Sequence, residues 1–307
     1  MTYNYAKTVT GDVSQSNLGV TYVHEHLIVK PQLPDKKYFD YTLEDEGASK
    51  AEVDDFARVG GNTLVEMTPI NYGRDVSAYK RIANATKVNI ICCTGYHKEL
   101  FMPEWVQEKS VLQLYDIIMD EIENGIDGTD IRPGVIKIGT SYNVITDKEH
   151  RAIEAAARAH LDSGVPISTH CDKGTMGVAQ LKELTSYGVK PDNILLCHID
   201  SALDFEYAKE LCKEGAIICF DHVGRELADK DAVRVDMISR LVSEGLVSHL
   251  TLAGDMGKKN YLKAYGGKPG FSYILTDLKE ELKKYVADDD LKKIFVENPG
   301  RFFAYRG

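Results

Sequence analysis

Eight short apolar runs recur along this chain, at residues 19–23, 63–67, 89–94, 134–138, 165–169, 194–197, 216–220 and 250–253. Segments of helical composition separate them, among them residues 148–161 (KEHRAIEAAARAHL), 177–184, 204–212 and 231–241. The runs are mostly continuously apolar and lack the polar alternation of a half-solvated strand. They therefore predict strands buried on both faces, which is what a parallel sheet covered by helices requires. Eight strand–helix units favour closure into a (β/α)8 TIM barrel, with an open doubly wound sheet as the structural alternative. At 307 residues the chain has the length of one such barrel, although two modest domains would also fit. No Pro/Gly/Ser-rich linker or low-complexity tract divides it, so residues 1–307 are expected to form one domain.

The formal charge of −10 argues against broad binding to nucleic acid or to an anionic membrane, because the phosphate-driven contribution needs clustered Lys and Arg. A local basic pocket for a small anionic ligand stays open. The N-terminal MTYNYAKTVTGD has no apolar stretch after a charged segment, and no window approaches the roughly 18 to 20 apolar residues of a membrane span. A cytoplasmic protein is expected. Cys92, Cys93, Cys171, Cys197, Cys212 and Cys219 show no C-x-x-C spacing and sit mostly in apolar runs. They read as reduced, buried thiols.

Of the nine histidines, seven lie in or beside a predicted strand: His24, His26, His97, His170, His198, His222 and His249. Barrel enzymes mount catalytic groups at strand ends, where the βα loops line the C-terminal rim. His24 and His26, in VTYVHEHL, are two apart, so in an extended chain both side chains point the same way and one cation can take both. Alone, an H-x-H pair is better read as two hydrogen-bonded histidines. Its companions change that reading: His170 ends VPISTH, His198 ends NILLCH and Asp255 ends HLTLAGD. Imidazole and carboxylate together suit Zn²⁺, Mn²⁺, Fe²⁺, Co²⁺ or Ni²⁺. Lys137, in GVIKIGT, brings an amine to the end of an apolar fourth strand, where it must be paired or neutralised. A snorkelling or salt-bridged lysine is one reading; a carbamate formed with carbon dioxide, whose two oxygens could bridge two metals, is the other.

This ordered set resembles the phosphotriesterase-like branch of the amidohydrolase superfamily, from VHEH near the start to ENPGRFF near the end. The resemblance implies two divalent metal ions, zinc foremost, with Mn, Fe, Co or Ni as alternatives. It implies that His24, His26 and Asp255 hold the more buried metal and that His170 and His198 hold the more exposed one. A carboxylated Lys137, together with a hydroxide, would bridge them. Asp255 would accept the nucleophile's proton and pass it to the leaving group. A homodimer is also implied.

Substrate contacts follow from residues outside the metal set. Tyr96, in CTGYH, matches a tyrosine that lactonases of this family carry near the metals, where it could bond the ring oxygen or the bridging hydroxide; a rim tyrosine that only packs is the alternative reading. Arg225, in DHVGRE, and Lys258, Lys259 and Lys263, in DMGKKNYLKAYGGKPG, bring positive charge to one edge of the rim. Arg225, Lys258 and Tyr261 match the phosphate contacts of the subgroup that hydrolyses phosphorylated furanose lactones. A small anionic substrate of that kind is the expectation. Alternatives are a phosphotriesterase or N-acyl-homoserine lactonase on the same scaffold, or a non-catalytic metal-binding barrel. His222 stands where many acyl-homoserine lactonases carry Arg, which argues against a long acyl chain.

Overall fold

The computed structural model describes residues 4–31, 33, 35–70, 72–225 and 228–305. The chain opens with an antiparallel hairpin, β1 (Tyr5–Thr8) and β2 (Gly11–Ser14), which the apolar periodicity does not foretell. Its strands are short and partly solvated, so they carry no continuous apolar run. Eight parallel strands follow: β3 (Thr21–Glu25), β4 (Thr63–Glu66), β5 (Asn89–Gly95), β6 (Val135–Thr140), β7 (Ile167–Cys171), β8 (Ile194–Cys197), β9 (Ile217–Phe220) and β10 (Leu250–Leu252). They fall on the eight predicted runs, and nearly every residue in them is buried.

Helices alternate with these strands: α1 (Glu46–Arg58), α2 (Val76–Thr86), α3 (Val111–Asn124), α4 (Asp147–Ser163), α5 (Gly177–Ser186), α6 (Phe205–Lys213) and α7 (Ala228–Ser243). The sequence sets their ends. Thr146 and Glu149 form a reciprocal capping box at the start of α4, and Gly164 ends it in the left-handed conformation at φ 77°. The result is a (β/α)8 TIM barrel, as the alternation of runs implies.

Strand order runs from β3 to β10 with every neighbour parallel. Register carries the functional positions to one level: Lys137 pairs with Ser168, Gly139 with His170, and His170 with Cys197. Among the described residues β3 and β10 share no ladder, so this is the seam where the barrel closes. There Asp255 N–H donates to the His24 carbonyl at 3.0 Å. Below the strands, Asn298 of the ENPGRFF segment donates to the Val247 and Leu250 carbonyls, both at 2.8 Å, and ties the C-terminal helix to the base of β10. All six cysteines are buried and free. Among the described residues no helix is long and apolar enough to cross a membrane.

Candidate metal centre

The six residues expected as ligands converge at the C-terminal ends of the strands. His24 and His26 flank Glu25, the last residue of β3, with ring centroids 5.5 Å apart, and both Nε2 atoms approach Asp255 Oδ1, at 3.5 and 3.1 Å. Lys137 Nζ lies 3.3 Å from His24 Nε2. The His198 ring is 5.0 Å from that of His24 and 4.4 Å from that of His170. His24, His198 and Asp255 each offer a ligand atom, and these atoms lie within 4.8 Å of one another.

The chemistry of this set suits divalent cations. His170 Nε2 and His198 Nε2 are buried without a hydrogen-bond partner, which is costly unless something else occupies the lone pair. Burial, helped by Lys137 at His24 and by His198 at His170, holds both imidazoles well below the usual histidine range and so neutral. Neutral imidazole is the form that binds a metal. Burial would raise the Asp255 carboxyl, yet Arg225, His24 and His26 hold it well below the usual carboxylate range. Lys137 is 2% exposed and, among the described residues, forms no ion pair, an arrangement unfavourable to a bare ammonium.

A second layer of acids orients the histidines. Asp221, fully buried, accepts from His198 Nδ1 at 2.9 Å and from His198 N–H at 3.0 Å, and its other oxygen lies 3.5 Å from His24 Nδ1. Holding Nδ1–H leaves Nε2 of His198 free to ligate. Glu66 accepts from Thr68 Oγ1 at 2.6 Å, and Thr68 Oγ1 lies 2.9 Å from His26 Nδ1. Burial pushes Glu25 up to about 8, against the N–H groups of Met256 and Gly254 that favour its anion. His222 contacts Ser201 Oγ at 2.8 Å and Asp200 Oδ1 at 3.3 Å, and Asp200 in turn accepts from Arg234 Nε at 2.7 Å. His198 at φ 66° and Asp255 at φ 42° both lie in the left-handed region, a bend that aims each side chain across the mouth.

A cavity of about 450 Å³ opens over this cluster. On one wall Arg225 Nη2 donates to Asp255 O and Oδ2, both at 2.8 Å, and the guanidinium sits 4.9 Å from the Tyr261 ring. The Lys258 ammonium lies between Tyr41 and Tyr261, at 4.6 and 5.3 Å from the ring centres. Lys98 and Asp172, also in the lining, pair at 2.7 Å.

The sequence matches the Phosphotriesterase family over residues 4–303. The chain belongs to that family. It is 34% identical to the phospho-furanose lactonase of Mycoplasmopsis synoviae, a match covering 99% of this chain and 93% of that protein. It is similar to the crystal structure of a lactonase from Listeria monocytogenes, with TM-score 0.92, 32% identity, and coverage of 99% of this chain and 100% of the other. It is also similar to the phosphotriesterase homology protein of Escherichia coli, solved with phosphate in its active site: TM-score 0.86, 34% identity, 94% of this chain and 99% of the other. Membership makes this chain a hydrolytic enzyme.

One expected contact of this phosphotriesterase-family hydrolase is corrected. Tyr96 does not join the His/Asp cluster: it is fully buried, and its hydroxyl donates outward to the Leu114 carbonyl of α3 at 3.1 Å. Neighbouring residues at a strand end face opposite sides, so the cavity position falls to His97. The His97 ring packs 4.6 Å from that of His170, and its Nδ1 accepts from Lys98 N–H at 2.8 Å. Of the four expected rim cations, Arg225 and Lys258 line the cavity. Lys259 and Lys263 do not; Lys263 donates to Ser272 at 2.7 Å. Asp221, Glu66, Tyr41 and Lys98 were not singled out from sequence, although Glu66 interrupts the second apolar run just before its end.

Proposed function

We propose that this enzyme opens the ring of a phosphorylated furanose lactone. The observation that carries the reading is the wall of Arg225, Lys258 and Tyr261 beside Asp255, which concentrates cationic donors next to the metal-type cluster in an otherwise acidic protein. The phospho-furanose lactonase and the phosphate-bound relative described above support it.

In this reading His24, His26 and Asp255 hold one cation and His170 and His198 the other. Lys137, as its carbamate, would be a further ligand. Two such cations would supply a water of lowered pKa and a polarised lactone carbonyl. The chain does the rest. Asp255, ionised well below neutral pH, takes the proton that the attacking water loses and returns it to the ring oxygen as the ester bond breaks. Arg225 fixes the free Asp255 oxygen, while Lys258 and Tyr261 hold the phosphate and thereby the ring.

A paired assay with a phosphorylated lactone and its dephospho form tests the reading. Each charge-assisted contact contributes about 1.5–3 kcal/mol, and Arg225 already shares its charge with Asp255, so kcat/KM should fall by about two to three orders of magnitude without the phosphate. Equal rates would sink the phosphate assignment. Preference for a neutral aryl triester would favour the phosphotriesterase alternative.

A further inference from the structure

Three consecutive N–H groups beyond β10 donate into one dipeptide at the end of β3. Gly254 N–H reaches Glu25 Oε1 at 2.6 Å, Asp255 N–H reaches the His24 carbonyl at 3.0 Å, and Met256 N–H reaches Glu25 Oε2 at 3.0 Å. This happens at the seam, where the described residues form no ladder between the first and last barrel strands. Glu25 is fully buried, and both its oxygens are engaged, one on each side of Asp255. The space is closely filled: a Cβ at Gly254 would lie 2.9 Å from Glu25 Oε1. Asp255 itself needs such restraint, since its φ of 42° is one that L side chains seldom adopt.

The two halves of the centre are thus built differently. His170 and His198 stand on ladder-paired neighbours, with His170 opposite Cys197. His24, His26 and Asp255 straddle the seam. We propose that Glu25, the middle residue of the H-E-H motif, is a positioning residue that holds Asp255 in register with His24 and His26, so that one cation depends on it and the other does not. This rests on the two-cation reading above.

The test is Zn²⁺ titrated into chelator-stripped protein against a chromophoric chelator, for the wild type, Glu25→Gln and Gly254→Ala. Gln keeps the volume but turns an NH2 toward an N–H donor; Ala keeps Glu25 itself and crowds Glu25 Oε1 together with the Met256 side chain, at 2.9 and 2.8 Å from the new Cβ. The wild type should bind two equivalents. Each variant should lose about 10- to 100-fold in affinity for one equivalent and keep the other nearly unchanged. A general loss of structure would not select one site, and circular dichroism of the stripped proteins confirms folding. Should Glu25→Gln not fold, Gly254→Ala carries the test with the carboxylate intact. Two tight equivalents in both variants, or equal weakening of both, would overturn the clamp. A wild type binding fewer than two would overturn the two-cation reading and the clamp with it.

Discussion

Asp221→Asn changes almost no volume, so it isolates what the buried carboxylate does for the histidines. Every group facing it is a donor or can be one: His198 N–H and Nδ1–H at 3.0 and 2.9 Å, His222 Nδ1 at 3.2 Å and His24 Nδ1 at 3.5 Å. Burial would raise its pKa, but His198 and His222 hold it well below the usual range, so the anion is the resident form. An amide has one acceptor oxygen and must turn its NH2 toward one of these donors. At least one charge-assisted bond is lost in a dry site, a loss of about 1.5–3 kcal/mol. Because Nδ1–H of His198 is what leaves Nε2 free for a cation, that loss should appear in metal binding as about a 10- to 150-fold weaker affinity. The assay is competition for Zn²⁺ with a chelator of known affinity, with melting curves of stripped and loaded protein in parallel. The melting temperature of the loaded variant should fall more than that of the stripped one. Affinity within about twofold of the wild type would refute the orienting role.

Two further outcomes follow from the geometry. Tyr96→Phe should leave lactone turnover within about twofold and cost about 1 kcal/mol in stability, because only the bond to the Leu114 carbonyl is lost; a tenfold fall in kcat would return Tyr96 to the reaction. Burial lowers the pKa of His160, whose Nδ1 bonds the Val165 carbonyl at 2.8 Å, so the unfolded chain binds that proton more readily and stability should fall as pH drops below about 6.5. His160→Asn should therefore flatten the melting temperature between about pH 6.5 and 5, and an unchanged slope would remove His160 from the balance.

The barrel was legible because parallel strands packed on both faces leave continuous apolar runs, and each of the eight runs became a strand. The convergent His, Lys and Asp side chains were legible for the same reason: such a residue at the end of an apolar run stands out against it. What eluded the sequence lies one step away from those ends. Tyr96 and His97 are adjacent, and only the direction of the chain at the end of β5 decides which enters the cavity. Asp221 reaches His198, 23 positions away, and Glu25 reaches Gly254, 229 positions away, pairings that no local pattern marks. Lys258 and Lys263 share one loop and one charge, yet Ser272 claims the second. Loop cations are assigned by tertiary partners, and those are invisible to composition.

The left-handed backbone at His198 and Asp255 has a consequence for anyone seeking a sturdier variant of this enzyme. A non-glycine residue there costs about 1–2 kcal/mol, so glycine or asparagine substitutions at both places would rank high in any search guided by melting temperature. They would also remove two of the three side chains, His24 being the third, that converge as candidate ligands. Thermostabilisation of this barrel is better sought at its base, around the hairpin and the C-terminal helix, where improvement and turnover do not compete for the same residues.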